Sequence, residues 1–232
     1  HFHIGSQLFD KEPYIQALNV TLNHIKNIKD RYDFDIKEIN MGGGFGVTYT
    51  DENRKPYGYF LEPLIERVKE FYKEENAELP ALVIEPGRSI VAEAGISLYT
   101  VGRIKNIPGI RKYVSVDGGM TDNIRPALYQ AKYDGVIANK ASCQRNDKVT
   151  VCGKCCESGD ILMKDIEMAE PETGDIIAIF STGAYGYSMA SNYNRNLIPA
   201  VVLVKDGRDE LIVRRQTYEN MLSNDIVPDS LK

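Results

Sequence analysis

The sequence of 232 residues has no tryptophan, no tract of clustered basic residues, and no run near the ~18 to 20 apolar residues of a membrane span. The missing apolar run argues against a membrane protein. Lysine and arginine total 28 against 33 aspartates and glutamates, for a formal charge of -5. This mildly acidic balance, without a basic patch, argues against nucleic acid as the main partner. There is neither an initiator methionine nor a signal peptide: the chain opens directly on His1-Phe2-His3-Ile4-Gly5-Ser6. The expectation from that start is the later portion of a longer chain. Cysteine is sparse, and its four copies crowd between Cys143 and Cys156, too locally for a disulfide framework. The expected compartment is reducing and cytosolic. What is there is ordinary for a folded protein: 43% hydrophobic and 26% charged residues, with 19 glycines and 10 prolines. That composition excludes a disordered or fibrous chain and allows one or two packed domains.

The first hundred residues alternate short apolar runs with helical patterns. Asp10 and Pro13 open a segment with Ile15, Leu18, Leu22, Ile25 and Ile28 on one face. Residues 36–41 then read as a strand ending in Gly42-Gly43-Gly44-Phe45-Gly46. A second helix is predicted with Leu61, Ile65, Val68 and Tyr72 on its buried face. After Pro80, residues 81–84 form a strand running into Glu85-Pro86-Gly87-Arg88. This is the rhythm of a parallel sheet covered by helices. From about Gly95 the chain changes to short β-rich runs at 96–101, 112–116, 149–151, 175–180, 200–204 and 211–213. Asp206-Gly207 suits a hairpin tip, and helical periodicity returns only at 216–222. The expected organisation is a βα part over 1–95, which the resemblance given below makes part of an α/β barrel, and a mainly β domain over 96–232.

Three strand ends of the first part carry polar or glycine-rich tips: His3-Ile4-Gly5-Ser6-Gln7, Gly42 to Gly46, and Glu85-Pro86-Gly87-Arg88. The C-terminal ends of barrel strands are where ligands bind, and glycines let backbone amides approach an anion. A tight strand-to-helix turn needs glycine anyway, so the glycine run alone does not choose between the two. It is neither a Walker sequence nor a Gly-x-Gly-x-x-Gly dinucleotide site. The second part adds four motifs. They are Asp117-Gly118-Gly119-Met120-Thr121-Asp122-Asn123, Arg125-Pro126-Ala127-Leu128-Tyr129, Cys156-Glu157-Ser158-Gly159-Asp160 and Gly183-Ala184-Tyr185-Gly186-Tyr187.

Together, in this order, these motifs resemble the fold-type III pyridoxal-phosphate decarboxylases, the alanine-racemase-like barrel enzymes. They are most similar to the branch that converts meso-diaminopimelate to L-lysine and carbon dioxide. Ornithine and arginine decarboxylases share the barrel tips, but their cysteine motif continues with Asp rather than Glu-Ser-Gly-Asp. The resemblance implies a fold of the last strands of a (β/α)8 barrel followed by a β domain, with pyridoxal 5'-phosphate as cofactor. It also implies a homodimer with shared active sites, to which the partner subunit contributes the cysteine. His3 would stack on the pyridine ring, and Ser6 would bond the phosphate. Gly42, Gly43, Gly44 and Gly87 would present amides to that phosphate. Glu85 would keep the ring nitrogen protonated, and Tyr185 would reach the cofactor. Arg88, Arg125, Tyr129 and Glu157 would hold the substrate's carboxylates and distal amino group; an Arg fork suits a carboxylate. Arg88 is assigned to the cofactor as well.

Cys156 is the candidate general acid, since decarboxylation leaves a carbanion to which a positioned thiol can deliver a proton. Cys152-Gly153-Lys154-Cys155 offers a redox or zinc pair as the competing reading. Zinc needs two further ligands, and only Cys143 and Cys156 are near, at irregular spacing, so no metal is expected. The family attaches its cofactor to a lysine upstream of the His-Ile-Gly-Ser tip, a region this sequence does not contain. Ala138-Asn139-Lys140-Ala141 is superficially similar to that lysine's neighbourhood, but it follows the other motifs, and Lys140 is not assigned the role. The alternatives are a related decarboxylase of another basic or acidic amino acid, or an inactive fragment that binds the cofactor or a partner half.

Overall fold

The computed structural model describes residues 1–231, and its first unit, His1–Ala94, is built on two amphipathic helices. Helix α1, Glu12–Tyr32, has Pro13 and Glu12 in its first turn, where a missing N–H and a negative charge are both tolerated. Lys29 and Arg31 sit at its other end, and Asp33 stops it in the left-handed conformation. Its buried stripe is Tyr14, Leu18, Leu22 and Ile25, while Ile15 and Ile28 lie at the margin. Each fully buried leucine contributes roughly 1.5 to 3 kcal/mol of transfer free energy. Strand β1, Glu38–Asn40, follows, and then helix α2, Tyr57–Glu74.

The buried face of α2 is Phe60, Leu64, Val68, Phe71 and Tyr72, so the expected track through Leu61 and Ile65 is one residue out of phase. Both tracks satisfy the helical period. Phe60 decides between them, because its ring packs edge-on against Tyr14 and Phe45, with centroids 5.6 and 5.3 Å away. Strand β2, Ala81–Val83, pairs in parallel with β1, and the short helix α3, Arg88–Val91, follows it. Residues 1–6 do not form the expected strand. Phe2 N donates to Asn40 O, Leu8 makes a single bridge to Phe45, and Gly5 at φ 144° turns the chain away from a ladder.

The second unit, from Gly95 onward, is mainly β. It contains β3 (Ser97–Ile107), β4 (Arg111–Val116), helix α4 (Arg125–Tyr129), β5 (Gly135–Ile137), β6 (Asp147–Cys152), β7 (Ile161–Met168) and β8 (Ile176–Ile179). These strands form one six-stranded sheet in the order β5-β8-β3-β4-β6-β7. Its edge strands β5 and β7 approach each other at Gly135 and Met163, so the sheet is a nearly closed barrel. Val101, Val114, Val149, Val151, Leu162, Ile177 and Ile179 fill its interior. Strands β9 (Val201–Lys205) and β10 (Arg208–Val213) form a separate hairpin. Its turn is Asp206-Gly207, with φ of 51° and 72°, the double positive value that such a tip requires. Helix α5, Tyr218–Leu222, starts on a capping box between Thr217 and Asn220.

Candidate active site

In the first unit three segments converge on the glycine turn. The Gly43 amide donates to His3 Nδ1 at 3.3 Å and the Gly42 amide to Asn40 Oδ1 at 2.9 Å. Glu85 N donates to Gly42 O at 2.7 Å, and Tyr14 donates its hydroxyl to Gly43 O at 3.0 Å. A Cβ on Gly42, Gly43 or Gly44 would lie 2.4, 2.1 or 2.2 Å from the carbonyl oxygens of Phe2, Glu85 and Gly5, respectively. Only glycine allows this approach. Two of the four amides expected to face a phosphate, those of Gly42 and Gly43, thus already have partners within the chain.

Around this turn stand the polar side chains. Glu85 accepts from Asn40 Nδ2 at 2.8 Å and lies 3.2 Å from His1 Nε2. The bond from the Gly43 amide to His3 Nδ1 fixes the imidazole and, in its neutral form, places the proton on Nε2. Arg88 donates to Ser6 Oγ at 2.8 Å and to Tyr49 Oη at 2.6 Å. A guanidinium beside a hydroxyl suits an anion, and a half-exposed carboxylate suits a protonated ring nitrogen.

In the second unit a buried carboxylate organises the cysteine turn. Asp160, 2% exposed, accepts from the amides of Met120 at 2.7 Å and Cys155 at 2.8 Å. Its own carbonyl accepts from Gly153 N at 2.9 Å. The turn leaves Cys156 exposed, with its amide donating to Asn194 Oδ1 at 2.8 Å. The neighbouring thiols are packed. Cys152 Sγ donates to Val114 O, and Cys155 Sγ accepts from Asn196 Nδ2. Burial, and then the Asp160 carboxylate, push both thiols up from the usual range. Glu157 is exposed, its Oε1 accepting from Gly159 N at 3.3 Å. Among the described residues, no three His, Cys, Asp or Glu side chains gather as a metal site.

Helix α4 carries Arg125 at its start and Tyr129 at its end. Arg125 is buried and donates to Tyr133 Oη at 2.7 Å, whereas Tyr129 is exposed. Tyr185, partly exposed, is held at φ 59°, an unusual backbone for a tyrosine. Asp122 accepts from Gly119 N at 3.0 Å, and burial raises its carboxyl above the usual range. Lys140 pairs with Glu172 at 2.7 Å and Asp175 at 2.9 Å. Both partners raise its pKa, Glu172 more, which favours the protonated amine over the neutral form that attacks an aldehyde. Sequence reasoning missed Tyr49, Asp160, Asn194 and Tyr133. Asp160 ends the Cys156-Glu157-Ser158-Gly159-Asp160 motif; the other three carry no local signal.

The chain matches, over residues 14–183, the family described as pyridoxal-dependent decarboxylase, C-terminal sheet domain, and it belongs to that family. Among its relatives it is a homologue of diaminopimelate decarboxylases. It is 48% identical to the enzyme of Bacillus subtilis over 97% of this chain and 52% of that one. It is 45% identical to the enzyme of Halalkalibacterium halodurans over the same shares. Among solved structures, diaminopimelate decarboxylase from M. jannaschii in complex with L-lysine superposes with a TM-score of 0.91 at 37% identity. That match covers 99% of this chain and 52% of the other. The chain spans about half the length of the curated relatives it matches. Among the described residues, no helix is long and apolar enough to cross a membrane.

Proposed function

We propose that this chain forms the C-terminal part of a diaminopimelate decarboxylase, which removes carbon dioxide from meso-diaminopimelate to leave L-lysine. The observation that carries the reading is the convergence of residues 2–6, 42–44 and 85–88. There a guanidinium–hydroxyl pair, a bare glycine turn and an anchored carboxylate form one cluster. These residues fit pyridoxal phosphate. Ser6 and Arg88, with the amides of Gly44 and Gly87, are assigned to its phosphate, while Gly42 and Gly43 keep the turn clear. Glu85 is assigned to the ring nitrogen, where it holds a proton, and His3 and Tyr185 to the ring and its surroundings. When bound, the cofactor supplies a sink for the electron pair left as carbon dioxide departs.

The rest falls to this chain's own groups. Arg88, Arg125, Tyr129 and Glu157 hold the two ends of the substrate, fixing which carboxylate leaves. Cys156, which each subunit lends to the other's site, then transfers the proton on Sγ to the α-carbon. Burial and Asp160 disfavour ionisation of Cys152 and Cys155, which suits them to packing. A homodimer with shared sites and a cytosolic location complete the reading; the crowding of the four cysteines between Cys143 and Cys156, too local for a disulfide framework, supports a reducing compartment.

The test uses the complete polypeptide. Carbon dioxide release is expected from meso-diaminopimelate and not from ornithine, arginine or lysine. Cys156→Ala should cut turnover by roughly 10²- to 10⁴-fold, the usual worth of a general acid, with cofactor content unchanged. Cys155→Ala should have little effect. If Cys155 proves essential and Cys156 dispensable, the acid is misassigned; release from ornithine instead would move the substrate.

A further inference from the structure

We propose that Tyr49 is a positioning residue that aims the Arg88 guanidinium at a bound anion. This rests on the assignment of Arg88 to anion binding made above. Tyr49 lies between β1 and α2, in a segment without helix, yet it is only 7% exposed. Its hydroxyl accepts from Arg88 Nη1 at 2.6 Å, while Nη2 of the same guanidinium reaches Ser6 Oγ at 2.8 Å. The guanidinium carbon also sits 5.8 Å from the centre of the Tyr49 ring. A guanidinium is planar and its donors point in fixed directions, so holding two nitrogens fixes the plane and the direction of the remaining donors.

The segment that delivers Tyr49 is itself pinned by side chains. The amides of Tyr49 and Thr50 both donate to Glu52 Oε2, at 2.9 and 2.8 Å. Thr48 N donates to Glu93 Oε1 at 2.9 Å, and Arg54 bridges Glu93 and the Ser89 carbonyl. Upstream, Gln7 exchanges two bonds with the backbone of Val47, each 3.0 Å long. Burial alone would raise the Glu52 carboxyl, but the amides it accepts from outweigh burial and lower it, keeping the pin ionised at neutral pH. An irregular stretch held at Val47, Thr48, Tyr49 and Thr50 is a preorganised support, and it meets the Arg88 guanidinium through the Tyr49 phenol. Orientation settled before the ligand arrives is orientation that binding need not supply.

The anion is either the phosphate of the cofactor or a carboxylate of the substrate, and the two are separated by what weakens. In the complete polypeptide, pyridoxal phosphate is titrated into apoenzyme, with pyridoxal as the phosphate-free control, and KM for meso-diaminopimelate is measured on the loaded enzyme. Tyr49→Phe keeps the ring and removes the hydroxyl. Losing a hydrogen bond to a charged group should weaken pyridoxal phosphate, but not pyridoxal, by roughly 10- to 100-fold. If the anion is the substrate's, KM should rise by a similar factor and cofactor affinity should hold. The deciding measurement repeats Tyr49→Phe in an Arg88→Lys background, where its effect should shrink to about 2-fold or less because the partner is gone. Glu52→Gln, which loosens the pin without touching Arg88, should reproduce a smaller loss with the same coupling. Losses that multiply in the double variant overturn the proposal. So does a fall in thermal midpoint with neither affinity nor KM changed while Arg88→Lys alone weakens binding. If Arg88→Lys itself moves neither quantity, the anion assignment of Arg88 fails first, and the role of Tyr49 falls with it.

Discussion

The strand tips of the first unit and the cysteine turn of the second reach local order by opposite means. At Gly42 to Gly44 side chains are removed, so that three carbonyl groups approach to within 2.4 Å of where a Cβ would be. At Cys155 and Cys156 a side chain is added: the buried Asp160 carboxylate gathers amides from two stretches of chain. The first device is sensitive to volume and indifferent to charge. The second is sensitive to charge, and its order is lost if the carboxylate is lost. In both, the side chains assigned to chemistry stand outside the device. Glu85 and Ser6 rim the glycine turn, and Cys156 stands exposed beyond the Asp160 anchor. Rigidity and reactivity are thus divided between different residues.

Asp160→Ala tests the second device and should have the largest effect. It leaves the amides of Met120 and Cys155 without their acceptor at a site 2% exposed. Each orphaned donor costs about 1 to 3 kcal/mol, so a loss of about 2 to 6 kcal/mol is expected in urea unfolding. Alkylation of Cys155 should accelerate as its turn opens. A loss below about 1 kcal/mol would mean that the turn holds itself without the carboxylate.

Gly43→Ala tests the first device. The new methyl would lie 2.1 Å from Glu85 O, a backbone atom that can yield only by moving β2's exit. Overpacking of this kind costs about 1 to 3 kcal/mol. The complete polypeptide should also retain less pyridoxal phosphate, because Glu85 and His3 are both bonded to this turn. Alkylation of Cys155 should stay at its wild-type rate. Should it rise as it does in Asp160→Ala, the two devices are not independent and the contrast between them is wrong.

The same division explains what the sequence revealed. The stripe of α1 was legible at Leu18, Leu22 and Ile25 because a long helix repeats its signal, and Asp206-Gly207 was legible because few residue pairs tolerate two positive φ values. The phase of α2 was not, since the choice between Leu61 and Phe60 was made by rings contributed from α1 and the glycine turn. Strand β7 escaped notice because Asp165, at φ 54°, breaks its alternation. The motif residues could be picked out by type, but their supports could not. Tyr49 meets Arg88 across 39 positions, and Cys156 meets Asn194 across 38, with nothing local to announce either.

Asp175 sharpens the account of the second device, because it is another buried carboxylate that ties loops of the β unit. It accepts from Asn139 Nδ2 and Glu172 N, both at 2.7 Å, and pairs with Lys140 at 2.9 Å. Burial alone would raise its carboxyl, but Asn139, Lys140 and the Glu172 amide together outweigh burial and lower it. A carboxyl lowered on folding stabilises the native state above its unfolded pKa, and that contribution is lost as pH falls through the folded value. Asp175→Asn should therefore cost about 1 to 2 kcal/mol at pH 7, the smallest of these effects. It should also flatten the fall of Tm below about pH 4, where the unfolded chain's carboxyl begins to take up a proton that the native one, lowered by its partners, does not yet accept. The flattening should be partial. Asp165, lowered mainly by Arg111, and Asp33, lowered by Lys29, titrate in the same direction and keep their own share of the slope. An acid limb identical in the two proteins would show that Asp175 is held by its packing rather than by its charge, and the dependence of the β unit on buried carboxylates would then rest on Asp160 alone.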